Sequence, residues 1–190
     1  MIMNYVLICL FIAILAVYNY VASRISRKYG AKTKVLPTKI KSRDYTNFLL
    51  AIPQVGLVLN VIITFNSGNY EIIPLLSGFT LMFLGMYFTS IVRKNLGKNW
   101  IPSSKTSKDQ ELVIDGIYSN VRHPFYLSIL TQFLGIAVIS WNLYSLIFFI
   151  LAIIVIVVRI KREEIELIAK FGEKYGEYAK KTPMLIPKLK

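Results

Sequence analysis

The sequence predicts an all-α integral membrane protein: a helical bundle of about five transmembrane helices, N-terminus outside and C-terminus cytoplasmic. Three observations predict it. Hydrophobic residues make up 55% of the 190 and charged residues only 17%, where a soluble domain carries about a quarter charged; mean hydropathy is +0.53. The apolar residues come in runs near the roughly 20 residues that cross a hydrocarbon layer. All 23 Lys and Arg fall in three blocks, eight in residues 24–43, six in 93–122 and nine in 159–190. Basic residues mark the cytoplasmic side of short loops, and five crossings with the N-terminus outside put all three blocks there, facing anionic headgroups.

Each segment follows from its own residues. The first, about residues 5–21, has no basic residue ahead of it and eight just behind. That order reads as a membrane anchor rather than a cleaved signal. Cys9, the only cysteine, sits inside it as a small apolar residue. A basic loop broken by Gly30 and Pro37 leads to segment two, about residues 45–65, in which Pro53 predicts a kink. Asn66-Ser67-Gly68-Asn69 is a turn free of basic residues, as an outside loop should be. Segment three, about residues 72–92, carries Gly78 and Gly85 seven apart, on nearly one face, where helices can approach closely. Residues 93–122 form a long basic stretch with Gly97, Pro102 and a Ser/Thr/Lys cluster, a length that suits a functional loop. Segments four and five, about residues 125–139 and 143–158, meet at Trp141-Asn142, with Trp141 and Tyr144 suited to the far interface. In the tail, Ile165, Ile168, Phe171, Tyr175 and Tyr178 recur at three- and four-residue spacing. That predicts an amphipathic interfacial helix, breakable at Gly172 or Gly176, with its tyrosines as interfacial anchors.

Composition also excludes. The net charge of +13 is confined to membrane-flanking blocks, so it argues for lipid surfaces and no nucleic acid. One cysteine and one histidine rule out a disulfide framework and a multi-ligand zinc site within one chain. No Gly-x-Gly occurs, so there is neither a dinucleotide fingerprint nor a P-loop.

Two clusters carry chemistry. Arg122-His123-Pro124-Phe125-Tyr126 contains the only histidine. Pro124 belongs at a first helical position, and His123 before it is pushed toward extended geometry. A polar elbow therefore opens a hydrophobic helix, whose free N–H groups suit an anion. From this pentapeptide alone two readings stand, an interfacial cap with the arginine on lipid phosphates or a functional site. The second cluster, Arg159-Ile160-Lys161-Arg162-Glu163-Glu164, lies where segment five leaves the membrane. Arg159 and Glu163 are four apart and share a helical face. Both clusters lie on the same side of the membrane, at the two ends of one helical hairpin.

These clusters, with Leu112 to Val121 before them, Lys170-Phe171-Gly172-Glu173-Lys174-Tyr175-Gly176-Glu177-Tyr178 after them, and then Thr182-Pro183 and Ile186-Pro187, resemble the isoprenylcysteine carboxyl methyltransferase family. The resemblance covers about residues 96–187, in the family's order. It implies an integral membrane enzyme that uses S-adenosyl-L-methionine without a Rossmann domain. It implies cofactor binding by Gln110, Glu111, Leu112, Val113, Tyr118, His123, Pro124, Phe125, Tyr126 and Glu163, in a cytoplasmic pocket. Arg159 would face the substrate carboxylate, making Arg159 and Glu163 the catalytic pair, with no metal. Residues 1–95 would supply helices one to three and their basic loop, and residues 96–190 the methyltransferase core. Gln110 stands where some relatives place histidine, and Leu127-Ser128 where a glycine is common; Ser128 is small enough for the same packing role.

The implied reaction is O-methylation of an isoprenylcysteine carboxylate or a similar lipophilic acceptor entering from the membrane. Such a carboxylate is ionised at pH 7, so its methylation needs orientation and loss of water rather than a general base. Glu163 can pair with the cofactor's ammonium, and the helix start with Arg122 or His123 can hold its carboxylate. Tyr118 or Tyr126 can pack on the adenine or face the sulfonium. Related readings are phospholipid or other small-lipid methylation, and an NADPH-dependent enzyme like the sterol reductases. The location implied is the cell membrane of a prokaryotic host or the endoplasmic reticulum of a eukaryotic one.

Overall fold

A computed structural model of the chain describes residues 2–29, 45–100 and 109–187. The first basic block begins within α1, which carries Arg24, Arg27 and Lys28, while Gly30, Pro37 and the rest of that loop lie outside the described residues, as do Pro102 and the Ser/Thr/Lys cluster after it. The helices are α1 (Ile2–Tyr29), α2 (Thr46–Ser67), α3 (Ile72–Leu96), α4 (Pro124–Ser140), α5 (Leu143–Phe171) and α6 (Glu173–Lys181). Short 3-10 turns at Gly97–Asn99 and Gly116–Ser119 flank the loop before α4. Among the described residues α1, α2, α3 and α5 are long and apolar enough to cross a membrane, and α4 is a shorter apolar helix. The chain is a multi-pass membrane protein.

Its surface is inside out relative to a soluble bundle. Phe48, Ile63, Ile73 and Tyr144 are exposed, while Thr89, Ser128, Gln132 and Arg159 are buried. A bilayer accounts for both, since lipid takes the apolar face and polar groups find partners inside. Phe11 is the main inward anchor of α1, with its ring edge-on to Phe65 at 6.3 Å and to Phe79 at 6.5 Å.

The most intimate pairing is α3 against α4, and small residues make it. A Cβ placed on Gly85 would lie 2.6 Å from the Gln132 nitrogen, one on Gly78 2.7 Å from the Gly135 oxygen, and one on Gly135 2.6 Å from the Gly78 oxygen. The face formed by Gly78 and Gly85 therefore does admit a close approach. Across this contact Gln132 donates to Thr89 Oγ1 at 2.7 Å, and Thr89 shares a hydrogen bond with Ser128 at 2.8 Å. Ser128 fits the seam because its carbonyl faces Gly85. Gly135→Ala is expected to cost about 1–3 kcal/mol, because packed backbone cannot retreat from an added methyl. Thermal unfolding in detergent micelles measures this, and an unchanged midpoint would show the seam to be loose.

Turn chemistry sets the ends. Gly68 closes α2 at φ 73°, the left-handed conformation that glycine adopts without strain. Asn142 caps α5 by accepting from Ser145 N at 3.0 Å. Pro53 lies inside α2 and is buried.

The largest departure from expectation is in α5. The apolar run ends at Val158, yet the helix continues unbroken to Phe171. Lys, Arg and Glu are strong helix formers, so the polar segment propagates the helix it inherits. The break falls at Gly172, φ 55°, and Gly176 stays helical within α6. The tail also differs from a simple interfacial helix. Tyr175 is only 2% exposed, and α6 folds back against α5.

Candidate active site

A cavity of about 310 Å³ opens where the loop before α4, the start of α4, the polar half of α5 and α6 converge. Gln110, Glu111, Leu112, Val113, Tyr118, His123, Pro124, Phe125, Tyr126, Arg159 and Glu163 all line it. The fold thus brings every predicted site residue to one place. Pro124 occupies the first turn of α4, and beyond it Tyr126 reaches the polar half of α5 while Phe125 lies against Trp100 and Arg93.

Arg159 and Glu163 share a helical face but form no direct ion pair. Tyr126 joins them instead. Arg159 Nε donates to the Tyr126 hydroxyl at 2.9 Å, and that hydroxyl donates to Glu163 Oε2 at 2.7 Å. Their spacing would allow an i,i+4 ion pair, but the two charges are held apart with a phenol between them. Arg159 Nη1 also donates to Thr46 Oγ1 at 3.0 Å and to Asn47 Oδ1. The guanidinium is 6% exposed, fixed from both α2 and α4.

The elbow is fixed by a residue outside the predicted set. Glu164 Oε1 receives Arg122 Nε and Nη2, each at 2.8 Å, and Tyr175 Oη at 3.2 Å, and lies 3.2 Å from His123 Nε2. Arg122 Nη1 donates to Ala179 O at 2.8 Å and to Thr182 O. The backbone joins in, with Arg122 N donating to Pro183 O at 2.9 Å and His123 N to Met184 O at 3.1 Å. His123 has φ −124° and ψ 59°, short of full extension, where its N–H reaches the tail and its ring reaches Glu164. Arg122 is thus buried against protein carbonyls rather than laid on lipid phosphates.

The loop before α4 contributes mainly backbone. Glu111 N donates to Asn99 Oδ1 at 2.8 Å, and Lys170 donates to Gln110 O at 2.7 Å. The Glu111 carboxylate turns outward to Lys98 at 2.9 Å, in an exposed pair that is worth little. The tyrosines expected as interfacial anchors are instead part of the wall. Tyr178 donates to Tyr118 O at 2.6 Å, and burial pushes its hydroxyl up to about 12. Burial and the nearby Glu164 carboxylate push the Tyr175 hydroxyl well above the ordinary phenol range, so both stay protonated donors.

Sequence reasoning missed Glu164, Asn47, Arg93 and Trp100, which complete the surroundings of the cavity. Only the polar start of segment two, Thr46-Asn47, gave a readable signal, as polar residues inside a membrane-length run.

Residues 78–169 match the isoprenylcysteine carboxyl methyltransferase (ICMT) family. A protein-S-isoprenylcysteine O-methyltransferase of Schizosaccharomyces pombe (strain 972 / ATCC 24843) is 38% identical over 107 residues, 55% of this chain and 45% of that protein. Residues 78–169, just under half of the chain, belong to the ICMT family. The chain's fold is similar to the solved structure of the eukaryotic intramembrane Ras methyltransferase ICMT, with a TM-score of 0.59 and 21% identity, over 78% of this chain and 55% of that one. A methanethiol S-methyltransferase of Pseudomonas deceptionensis is 36% identical over 74 residues, 39% of this chain and 28% of that protein. The chain spans about half the length of the ICMT relative from yeast. The matched span of the ICMT family holds Arg93, the elbow, Arg159, Glu163 and Glu164; Asn47 and the α6 tyrosines lie outside it.

The cavity suits the family's cofactor by its own chemistry. About 310 Å³ lies at the low end of the roughly 300–1,000 Å³ typical of small-molecule sites. Its lining offers aromatic faces in Trp100, Tyr118 and Phe125, an anion in Glu163, and an arginine, Arg93, whose buried Nε has no partner among the described residues. Those are complements of an adenine, an ammonium and a carboxylate.

Proposed function

We propose that this protein is an S-adenosylmethionine-dependent membrane methyltransferase that O-methylates a lipophilic carboxylate, typically an isoprenylcysteine. The observation that carries the reading is the Arg159–Tyr126–Glu163 chain on the wall of the cavity. It holds one cation and one anion in fixed register, without letting them neutralise each other directly.

When bound, S-adenosylmethionine supplies an electrophilic methyl group on a sulfonium. Glu163 takes the cofactor's ammonium. Tyr126 holds the Glu163 carboxylate and the Arg159 guanidinium in place, so neither must reorganise during the reaction. Arg159, with Nε and Nη1 engaged, orients the acceptor carboxylate with Nη2, through a charge-assisted hydrogen bond. No residue moves a proton, because the acceptor oxygen is already anionic. His123 is a positioning residue in the elbow. Residues 1–95 act chiefly as scaffold, lending Thr46, Asn47 and Arg93 to the core of residues 96–190. The three basic blocks favour the orientation with N-terminus outside and the cavity on the cytoplasmic side.

Two assays test the reading. Calorimetry on detergent-purified protein is expected to show binding of S-adenosylhomocysteine and none of NADP; the reverse sinks it. Radiolabelled methyl transfer is expected to label a farnesylcysteine analogue. Label confined to phospholipid, or to a small thiol such as the methanethiol relative's name suggests, overturns the carboxylate assignment. Glu163→Ala is expected to weaken S-adenosylhomocysteine binding by roughly tenfold or more, the loss of a charge-assisted hydrogen bond. Unchanged affinity in that variant removes Glu163 from the cofactor site.

A further inference from the structure

An α-amino acid moiety carries its ammonium and its carboxylate on one carbon. A cavity that pairs Glu163 with the ammonium must therefore supply a cation for the carboxylate close by. This inference rests on the methyltransferase reading above and asks which cation that is.

Arg93, Arg122 and Arg159 line the cavity. Arg122 is consumed: Nε and Nη2 go to Glu164 and Nη1 goes to two carbonyls of the tail. Arg159 has Nε on Tyr126 and Nη1 on Thr46 and Asn47. Arg93 is different. Its Nε is buried and meets no hydrogen-bond partner among the described residues. Its guanidinium lies over the Trp100 ring at 5.1 Å and the Phe125 ring at 5.4 Å, and those two rings are 6.4 Å apart. Aromatic rings engage the face of a guanidinium and leave its edge, which carries the N–H groups, available. A buried donor without an acceptor asks for one. A carboxylate fits the Nε–Nη edge through two parallel hydrogen bonds.

We propose that Arg93, seated against the neighbouring rings of Trp100 and Phe125, holds the α-carboxylate of S-adenosylmethionine, and so sets the preference for a cofactor with an intact amino acid end. The task expected of Arg122 or His123 passes to a residue on α3. The elbow residues instead hold the cavity wall to α5 and the tail.

The test compares S-adenosylhomocysteine with the same thioether lacking its carboxylate, by calorimetry on purified wild type, Arg93→Gln and Arg93→Lys. Wild type is expected to prefer the intact ligand. Arg93→Gln is expected to lose roughly tenfold to a hundredfold in affinity for it, while affinity for the decarboxylated ligand stays within about threefold. Arg93→Lys keeps the charge without the fork and recovers part of the preference. Equal weakening of both ligands in Arg93→Gln overturns the proposal, because that is the mark of a residue that only supports the fold or anchors to lipid. An unchanged preference, with a raised KM for a farnesylcysteine analogue instead, also overturns it and gives the contact to the acceptor. Wild type that binds neither ligand overturns the methyltransferase reading itself, and this inference with it.

Discussion

Arg159→Ala is expected to lower methyl transfer to a farnesylcysteine analogue by roughly a hundredfold, the scale of loss when a reacting group is no longer held in line. Affinity for S-adenosylhomocysteine is expected to stay within about threefold, because Glu163 keeps its own bond from Tyr126. The asymmetry follows from the geometry. Arg159 is only 6% exposed and held from α2 and α4, so its orientation is set before any substrate arrives. Arg159→Lys retains the charge but cannot reach Tyr126, Thr46 and a carboxylate together, and recovers little. Radiolabelled turnover beside calorimetry separates the two effects. Loss of cofactor affinity equal to the loss of turnover would show that Arg159 serves the cofactor rather than the acceptor.

Glu164→Ala is expected to destabilise the protein by about 2–3 kcal/mol, since it strands a largely buried arginine whose strongest partner is gone. One carboxylate oxygen takes Arg122, His123 and Tyr175 together, and with them the join between the elbow, α5 and α6. Glu163→Ala, one residue away, is expected to leave stability within about 0.5–1 kcal/mol, as its strand in the network is a single neutral donor. Thermal unfolding of the two variants in the same detergent makes the comparison. A larger loss for Glu163→Ala would place the structural burden on the wrong neighbour.

That pair of glutamates shows where the sequence stops being informative. Adjacent residues on a helix point about 100° apart, and periodicity places them without saying what each faces. Only the packing of α6 assigns Glu164 to the elbow and Glu163 to the cavity. The local parts were readable: Pro124 at a helix start, the turn at Gly68, the glycine face of α3, and the clustering of residues 110–126 with 159–163. What required the fold was long-range. Thr46 and Asn47 reach Arg159 across more than a hundred residues; their polarity in an apolar run marks them without naming that partner. Tyr175 and Tyr178 look like interfacial anchors because a tyrosine is amphipathic in either setting. The unbroken course of α5 was hidden because hydropathy reports where a chain is apolar, not where its helix ends.

That unbroken helix has a consequence for how the acceptor is met. From Leu143 to Val158 the apolar part of α5 rises about 24 Å at 1.5 Å per residue, short of the roughly 30 Å of a hydrocarbon layer. With Leu143 at the far boundary of such a layer, Arg159, the next residue along α5, falls just inside the near one. On the proposed function, an acceptor tethered by a prenyl or acyl chain would reach that guanidinium while its chain stays dissolved in the leaflet, with no methylenes drawn out at about 0.8 kcal/mol each. For such an enzyme the quantity that governs saturation is the acceptor's mole fraction among the surrounding lipids. Diluting the aqueous phase leaves that unchanged, whereas adding inert lipid lowers it.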